Sequence, residues 1–221
     1  MSNIWNNDAY NLRKYSPCDI DYFLDIGACL GEVSVLFKSI DPFANVIAIE
    51  ICKETYEMLC ERVTSWGVRC YNIALGNCEL LRFHRGRHKG MHRCYTKAES
   101  QWGPKIPEYY VESKTLPDLF EYFKIKGKYI IKMDCEGGER FVLKDEKAIE
   151  IIKGAVQFNM ELHQGFDITY EQWAEWFDLF KDTHTLYETM IDEYDSKRQR
   201  VCRQIDQIED AFRKEYMLVK K

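Results

Sequence analysis

This sequence lacks any long apolar run: no stretch of its 221 residues is hydrophobic for long enough to span a bilayer. The polar opening MSNIWNNDAYNLRK also has no signal-peptide core, so the chain is expected to stay in the cytosol with no membrane partner. No C-x-x-C pair occurs among its nine cysteines (18, 29, 52, 60, 70, 78, 94, 135 and 202), and their number is odd. Most fall inside apolar segments, where a thiol behaves as a small hydrophobe, so neither disulfides nor a cysteine zinc site is expected. Excess positive charge is missing too. A net charge of -5 argues against unspecific binding of nucleic acid by the whole surface, and leaves room for a local basic patch. Repeats and linkers are absent, and the length suits one α/β domain with a full core.

The informative stretch is DYFLDIGACLGEVSVLFKSIDPFANVIAIE, Asp21 to Glu50. It reads as a strand (Tyr22 to Ile26), a glycine turn, an amphipathic helix with Leu30, Val33, Leu36, Phe37 and Ile40 on one face, and a second strand (Val46 to Ile49) ending on Glu50. Such a βαβ unit points helix amides and glycine backbone toward a ligand. Glu50, 23 positions after Gly27, stands where a carboxylate meets a ribose diol. The turn is Asp25-x-Gly27-x-x-x-Gly31, without the third glycine of a dinucleotide fingerprint, and Asp25 would repel a pyrophosphate while suiting a cationic amino-acid tail. S-adenosylmethionine fits better than NAD. On this reading Asp25, Gly27, Ala28, Gly31, Glu50 and Ile51 contact the cofactor.

Downstream, KETYEMLCERVTSWG reads as a helix and VRCYNIAL as a third strand, completing the alternation of a parallel, doubly wound sheet. Asn72 and Ala74, at that strand's carboxyl end, are placed in an adenine pocket. The segment 79 to 113 interrupts the pattern as a loop or hairpin on the substrate side. It carries Arg82, Arg85, Arg87, Lys89 and Arg93 with three histidines and no acid between residues 82 and 95. Arg85, Arg87, His92 and Arg93 are candidates for gripping a phosphate or carboxylate on a substrate. A metal at His84, His88 and His92 is disfavoured by Gly86 and Gly90. Residues 1 to 20, with Trp5, Tyr10 and Tyr15, read as a short helix or arm over the domain edge.

KTLPDLFEYFKIKG gives a helix, and Lys128 to Met133 a buried strand with Lys132 and Asp134 on one face. AVQFNMELH alternates strictly, directing Gln157, Asn159, Glu161 and His163 to the opposite side from Phe158 and Met160. Lys132 needs a charged partner, and Glu161 is the expected one. Asp134 and His163, at strand ends, are the candidate bases, with Glu136 and Glu161 as orienting partners. Asp134, Glu136 and Glu139 flank Gly137-Gly138, where they position a substrate hydroxyl or hold one magnesium ion; spacing does not separate these. Toward the end the pattern gives a helix with Trp173, Trp176, Phe177 and Phe180 inward, a strand from Thr185 to Met190, a helix around Gln204 to Arg213 and a last strand, Tyr216 to Val219.

The order of LDIGACLGE, IAIE, IALGN, KTLPDLF, IIKMDCEGGERFVL and MELH resembles the FkbM-type family of S-adenosylmethionine-dependent methyltransferases over about residues 22 to 165. IKMDCEGGE is the most specific part. The resemblance implies an α/β class I methyltransferase fold, Rossmann-like, with a mostly parallel seven-stranded sheet and an antiparallel terminal strand. It implies one domain over residues 21 to 221 and methylation of a hydroxyl on a sugar, glycan or small natural product. Asp25, Gly27, Gly31 and Glu50 would hold the cofactor, and Asp134, Glu136 and Glu139 would shape the acceptor site. The basic, histidine-rich loop departs from the pattern and admits a nucleic-acid hydroxyl as acceptor. A noncatalytic, methyltransferase-like binding subunit is a further alternative, against which the acidic cluster counts.

Overall fold

The computed structural model describes residues 8, 10–84, 93–95, 109–163, 168–191, 200–206 and 215–221. Strands β1 (Tyr22–Ile26), β2 (Asn45–Ile49) and β3 (Arg69–Tyr71) alternate with helices α1 (Glu32–Ile40) and α2 (Lys53–Val63). Then come β4 (Ala74–Leu75), β5 (Leu80–His84), β6 (Arg93–Tyr95), β7 (Tyr109–Lys114), α3 (Leu116–Phe123), β8 (Tyr129–Met133), α4 (Glu146–Gly154) and β9 (Gln157–Glu161). Helix α5 (Tyr170–Asp178) and strands β10 (His184–Ile191), β11 (Arg200–Gln204) and β12 (Glu215–Lys220) finish the described chain.

Eight strands form the main sheet in the order β11-β10-β12-β9-β8-β1-β2-β3. From β9 to β3 all neighbours are parallel. β12 runs antiparallel between β9 and β10, so the antiparallel terminal strand read from the sequence lies inside the sheet. β11 pairs with β10 and makes the eighth strand; it takes Gln204 out of the expected helix, whose residues 207–213 lie outside the described ones.

Alternation along the strands makes the two faces different. Leu24, Ile26, Ile131, Met133, Phe158 and Met160 face one way and pack with Leu119 of α3, Ile152 of α4 and Trp176 of α5. Phe23, Val46, Ala48 and Ile130 face the other way and meet Val33 and Phe37 of α1, Leu59 and Val63 of α2, and Tyr10, Leu12 and Ile20 of the amino-terminal strap. No described residue before β1 is helical. The strap is tied down instead: Asp8 accepts from the Leu12 and Arg13 amides, and Gln157 Nε2 donates to the Tyr10 carbonyl at 2.7 Å.

VRCYNIAL is not one strand. The Asn72 side-chain amide donates to the Glu50 and Ile51 carbonyls at 2.8 and 3.0 Å, which draws the chain off β3. It then enters a second sheet, β4-β7-β5-β6, that fills much of the predicted hairpin region. Stacking of Phe83 on Tyr109 (4.4 Å between centroids) and donation from the Lys53 amide to the Tyr109 hydroxyl at 2.9 Å dock this sheet on the start of α2. Among the described residues no helix is long and apolar enough to cross a membrane.

Two glycines set the tolerance of the fold to added side chains. Gly27 has φ +79° and a Cβ there would fall 1.7 Å from the Asp134 carbonyl oxygen; Gly67 has φ +74° and a Cβ would meet only Lys38 Cε at 3.6 Å. Gly67→Ala is expected to cost about 1 to 2 kcal/mol from the left-handed backbone alone. Gly27→Ala, with backbone in the way, should cost more than about 3 kcal/mol. Urea denaturation of the two variants checks the difference.

Candidate active site

The turn after β1 is folded over the end of β2. The Gly27 and Ala28 amides both donate to the Ile49 carbonyl at 2.9 Å. Cys29, with φ +50°, donates its amide to Glu50 Oε2 at 3.0 Å, and the Cys52 amide reaches Glu50 Oε1 at 2.9 Å. Burial pushes the Glu50 carboxyl pKa up against these two donors. Each of its oxygens retains a second lone pair for a diol. Gly31, in left-handed conformation, precedes α1 without any side-chain cap, which leaves first-turn amides of that helix available to a ligand.

Several expected cofactor contacts turn out to be internal. Gly27 is needed where the turn presses on Asp134. At Gly31 a Cβ would lie 2.4 Å from Val63 Cγ1 and 2.6 Å from Leu59 Cδ1, so this glycine serves the approach of α1 to α2. Asn72 spends its amide on two carbonyls, and Ala74 is buried in a small core with Leu81, Phe83 and Val111. Ile51, half-buried, stays at the edge of the turn.

Asp25 corrects the reading most clearly. It is fully buried beneath the turn rather than facing a ligand, and accepts from Ser34 Oγ of α1 at 2.7 Å. Its other oxygen lies 3.3 Å from Lys132 Nζ. Strand register puts Asp25, Lys132 and Asn159 side by side on β1, β8 and β9, with 0%, 3% and 1% exposure. Lys132 also donates to the Gly27 carbonyl at 2.7 Å and lies 3.6 Å from Asp134 Oδ2. Its ion partners are therefore Asp25 and Asp134, whereas Glu161 was expected. The reason is register: Lys132 is level with Asp25, while Glu161 lies two residues beyond Asn159, at the strand end. Burial works to lower the lysine pKa, and the two carboxylates overcome it and hold the ammonium charged.

Above this row, the two strand ends converge on His163. Its Nδ1 lies 3.2 Å from Glu139 Oε1; its Nε2 lies 3.5 Å from Glu136 Oε2 and 3.7 Å from both Asp134 Oδ1 and Glu161 Oε1. The loop that achieves this has left-handed backbone at Glu136 (φ +54°) and Gly137 (φ +104°). Glu139 is 1% exposed, and accepts from the Cys135 and Gly137 amides at 2.7 Å each. It is a brace for the loop and for His163, where a substrate contact was expected. Burial opposes ionisation of Glu139, but His163 and the backbone donors bring its pKa below the usual carboxylate range.

The proton inventory reverses the expected roles. Burial tends to discharge His163, yet the hydrogen bond and charge of Glu139, with Glu136 and Asp134, raise its pKa to about 9. An imidazolium is not a base at neutral pH. Glu161, expected only to orient, is raised to about 7 by burial and by the charge of Asp134, so it can take up a proton where most carboxylates cannot. Asp134, Glu161 and His163 each bring one possible ligand atom within 4.8 Å of the others. The set is mixed, two carboxylates and an imidazole, where magnesium prefers an all-oxygen shell.

Arg85, Arg87 and His92 lie outside the described residues, and Arg93 is described only as backbone on β6. Sequence reading missed Tyr10, Ser34 and Asn159, which sit around the buried row. For Ser34 the apolar face of α1 gives a hint, since a hydroxyl interrupts it between Val33 and Val35.

The sequence pattern of the Methyltransferase FkbM domain matches residues 25–211. The chain belongs to the FkbM family of methyltransferases. No curated protein matches it. Among solved structures, methyltransferase FkbM from Methylobacillus flagellatus shares the fold at 12% identity and TM-score 0.50; the match covers 90% of this chain and 44% of that one. A putative rRNA-methylase from Clostridium thermocellum aligns at 9% identity and TM-score 0.49, over 100% of this chain and 97% of that one. A precorrin-6y C5,15-methyltransferase from Geobacter metallireducens aligns at 9% identity and TM-score 0.47, over 97% and 86%. The FkbM family is S-adenosylmethionine-dependent, and the lone pairs of Glu50 and the uncapped start of α1 fit that cofactor's diol and its charged tail.

Two outcomes follow for this FkbM-family enzyme. Lys132→Met leaves Asp25 buried without its cation and is expected to cost about 3 to 5 kcal/mol in urea denaturation. In NMR titration the His163 ring should change charge near pH 9. Because its folded pKa lies above its ordinary 6.5, the stability it contributes is complete below pH 6.5 and is lost as pH rises through about 9. That loss, on the order of 3 kcal/mol, should disappear in His163→Gln.

Proposed function

We propose that this FkbM-family methyltransferase O-methylates a hydroxyl of a sugar, a glycan or a small natural product, with Glu161 taking the hydroxyl proton. A single juxtaposition carries the reading: a carboxylate that titrates near neutrality stands 3.7 Å from an imidazole nitrogen that keeps its proton there. When bound, S-adenosylmethionine supplies a methyl group activated on a sulfonium. The chain must then hold the acceptor in line and relieve it of a proton; positioning can contribute ~7 to 11 kcal/mol and a base ~10²- to 10⁴-fold. Glu161 is the group able to accept that proton, His163 fixes the carboxylates around it, and Lys132 anchors Asp134 from below.

A nucleic-acid hydroxyl, approached through the basic run from Arg82 to Arg93, is the competing acceptor. The carboxylates at the crevice weigh against it, because they would repel phosphates close to the reacting centre. Transfer of labelled methyl from S-adenosylmethionine to a panel of glycans, polyols and oligoribonucleotides tests both. A methyl ether on a glycan or polyol, with turnover reduced ~10²- to 10⁴-fold in Glu161→Gln, is the expected result. Methylation at nitrogen or carbon, or unchanged turnover in the variant, overturns the assignment.

A further inference from the structure

One nitrogen in the crevice is surrounded by acceptors without bonding to any of them. The His163 ring, just past the end of β9, has 8% of its side chain exposed, and its Nε2 faces Glu136 Oε2 at 3.5 Å and both Asp134 Oδ1 and Glu161 Oε1 at 3.7 Å. A charge-assisted hydrogen bond closes to about 2.7 to 2.9 Å, and none of the three does. The ring's hydrogen bond among the described residues is at the other nitrogen, from Nδ1 to Glu139 Oε1 at 3.2 Å. Spacings near those around Nε2, about 3.0 to 3.6 Å, are found between ligand atoms that share one ion about 2.1 to 2.2 Å away. The ligand atoms of Asp134, Glu161 and His163 all lie within 4.8 Å of one another.

Two of these groups are oriented from behind by buried partners. Glu139, anchored by the Cys135 and Gly137 amides, takes the Nδ1 hydrogen and so turns Nε2 toward the three carboxylates. Lys132 holds Asp134 by Oδ2, which leaves Oδ1 toward the ring. Strand register adds the third group: Met133 is level with Met160, and the next residue on each strand is Asp134 or Glu161. A buried carboxylate behind an imidazole, and a donor behind a carboxylate, are the partners that orient metal ligands. Asp134, Glu136 and Glu161 stay partly exposed, so the set is open on one side to the crevice.

We propose that His163 Nε2, Asp134 Oδ1 and Glu161 Oε1, with Glu136 beside them, hold one divalent transition-metal ion, manganese(II) above all. The imidazole sets the group apart from the all-oxygen shells of magnesium and calcium, and its majority of carboxylates suits manganese(II). The magnesium site expected from the sequence, at Asp134, Glu136 and Glu139, thus changes both ligands and ion. Glu139 is spent behind the ring, and His163 and Glu161 take its place. In the metal-free protein Nε2 carries a proton, and an entering ion displaces it. The proposal deepens the hydroxyl-methylation reading and rests on it for its use: a dication here lowers the cost of ionising the acceptor hydroxyl. Only Oε1 of Glu161 is drawn into the set, so the second oxygen keeps its proton-accepting role.

Manganese itself reports on the site without turnover. Full-length protein stripped with EDTA is titrated with manganese(II) chloride while the free ion is read by electron paramagnetic resonance. One ion per chain should bind, at least about tenfold more tightly than calcium. Electron spin echo modulation of the bound ion should show one directly coordinated imidazole nitrogen. His163→Gln should abolish that modulation and weaken binding at least about tenfold, and Glu161→Gln should weaken binding while keeping the nitrogen signal. Absence of stoichiometric binding, calcium bound as tightly as manganese, or bound manganese without a nitrogen signal overturns the proposal. Calorimetry with S-adenosylmethionine on the same stripped protein separates the failures. Cofactor binding without a manganese site leaves the methyltransferase reading standing and removes the metal, and loss of both removes both. The wild-type nitrogen signal decides the matter even if a variant does not fold.

Discussion

An ammonium buried in the middle of a parallel sheet persists only where fixed counter-charges surround it. Lys132 finds them because strand register sets it level with Asp25 on β1 and because the chain turns at Asp134 just beyond β8. The same ammonium donates to the Gly27 carbonyl, so one cation joins the floor of the cofactor turn to the first carboxylate of the acidic crevice. Ser34 extends the connection into α1 through Asp25. The two halves of the site are thus held in mutual position by an ammonium that is itself almost wholly buried.

Above that floor the charges belong to the group rather than to single residues. His163 remains charged because carboxylates from the loop after β8 and from β9 converge on it, and Glu161 is hard to ionise because it is largely buried and has Asp134 as a neighbour. Glu139 stabilises the imidazolium while accepting two amides of its own loop, so the loop's left-handed geometry and the ring's protonation support each other. An arrangement of this kind places a group that can take up a proton and a fixed cation at one point.

Local periodicity made the frame legible. The β1-α1-β2 unit, Glu50 at its end and the polar face Gln157, Asn159, Glu161 all follow from spacing within one segment, and the structure places them there. Facts that depend on two distant segments were not legible. That Asp25 is a buried partner of Lys132 depends on register between β1 and β8. That Gly31 serves helix packing depends on Val63, and that the strap carrying Tyr10 is tied to β9 depends on Gln157, 147 residues away. The break in VRCYNIAL had a local cause, the Asn72 side chain, but its partners are carbonyls at the end of another strand. The charge of His163 needed four carboxylates to be placed before it could be assigned.

The position of β12 has a consequence for how the molecule is assembled. Because β12 lies between β9 and β10, those two strands never pair with each other, and β10 joins the sheet only through a segment synthesised after it. As the chain emerges, the parallel half from β3 to β9 can form first, with the edge of β9 open and Glu161 at its end. β10 and β11 must then wait as a hairpin for residues 215–220 to enter the gap. Closing such a long-range gap is slow compared with local pairing. The last stretch of the sheet to be made is therefore the one that seals the flank of its acidic crevice.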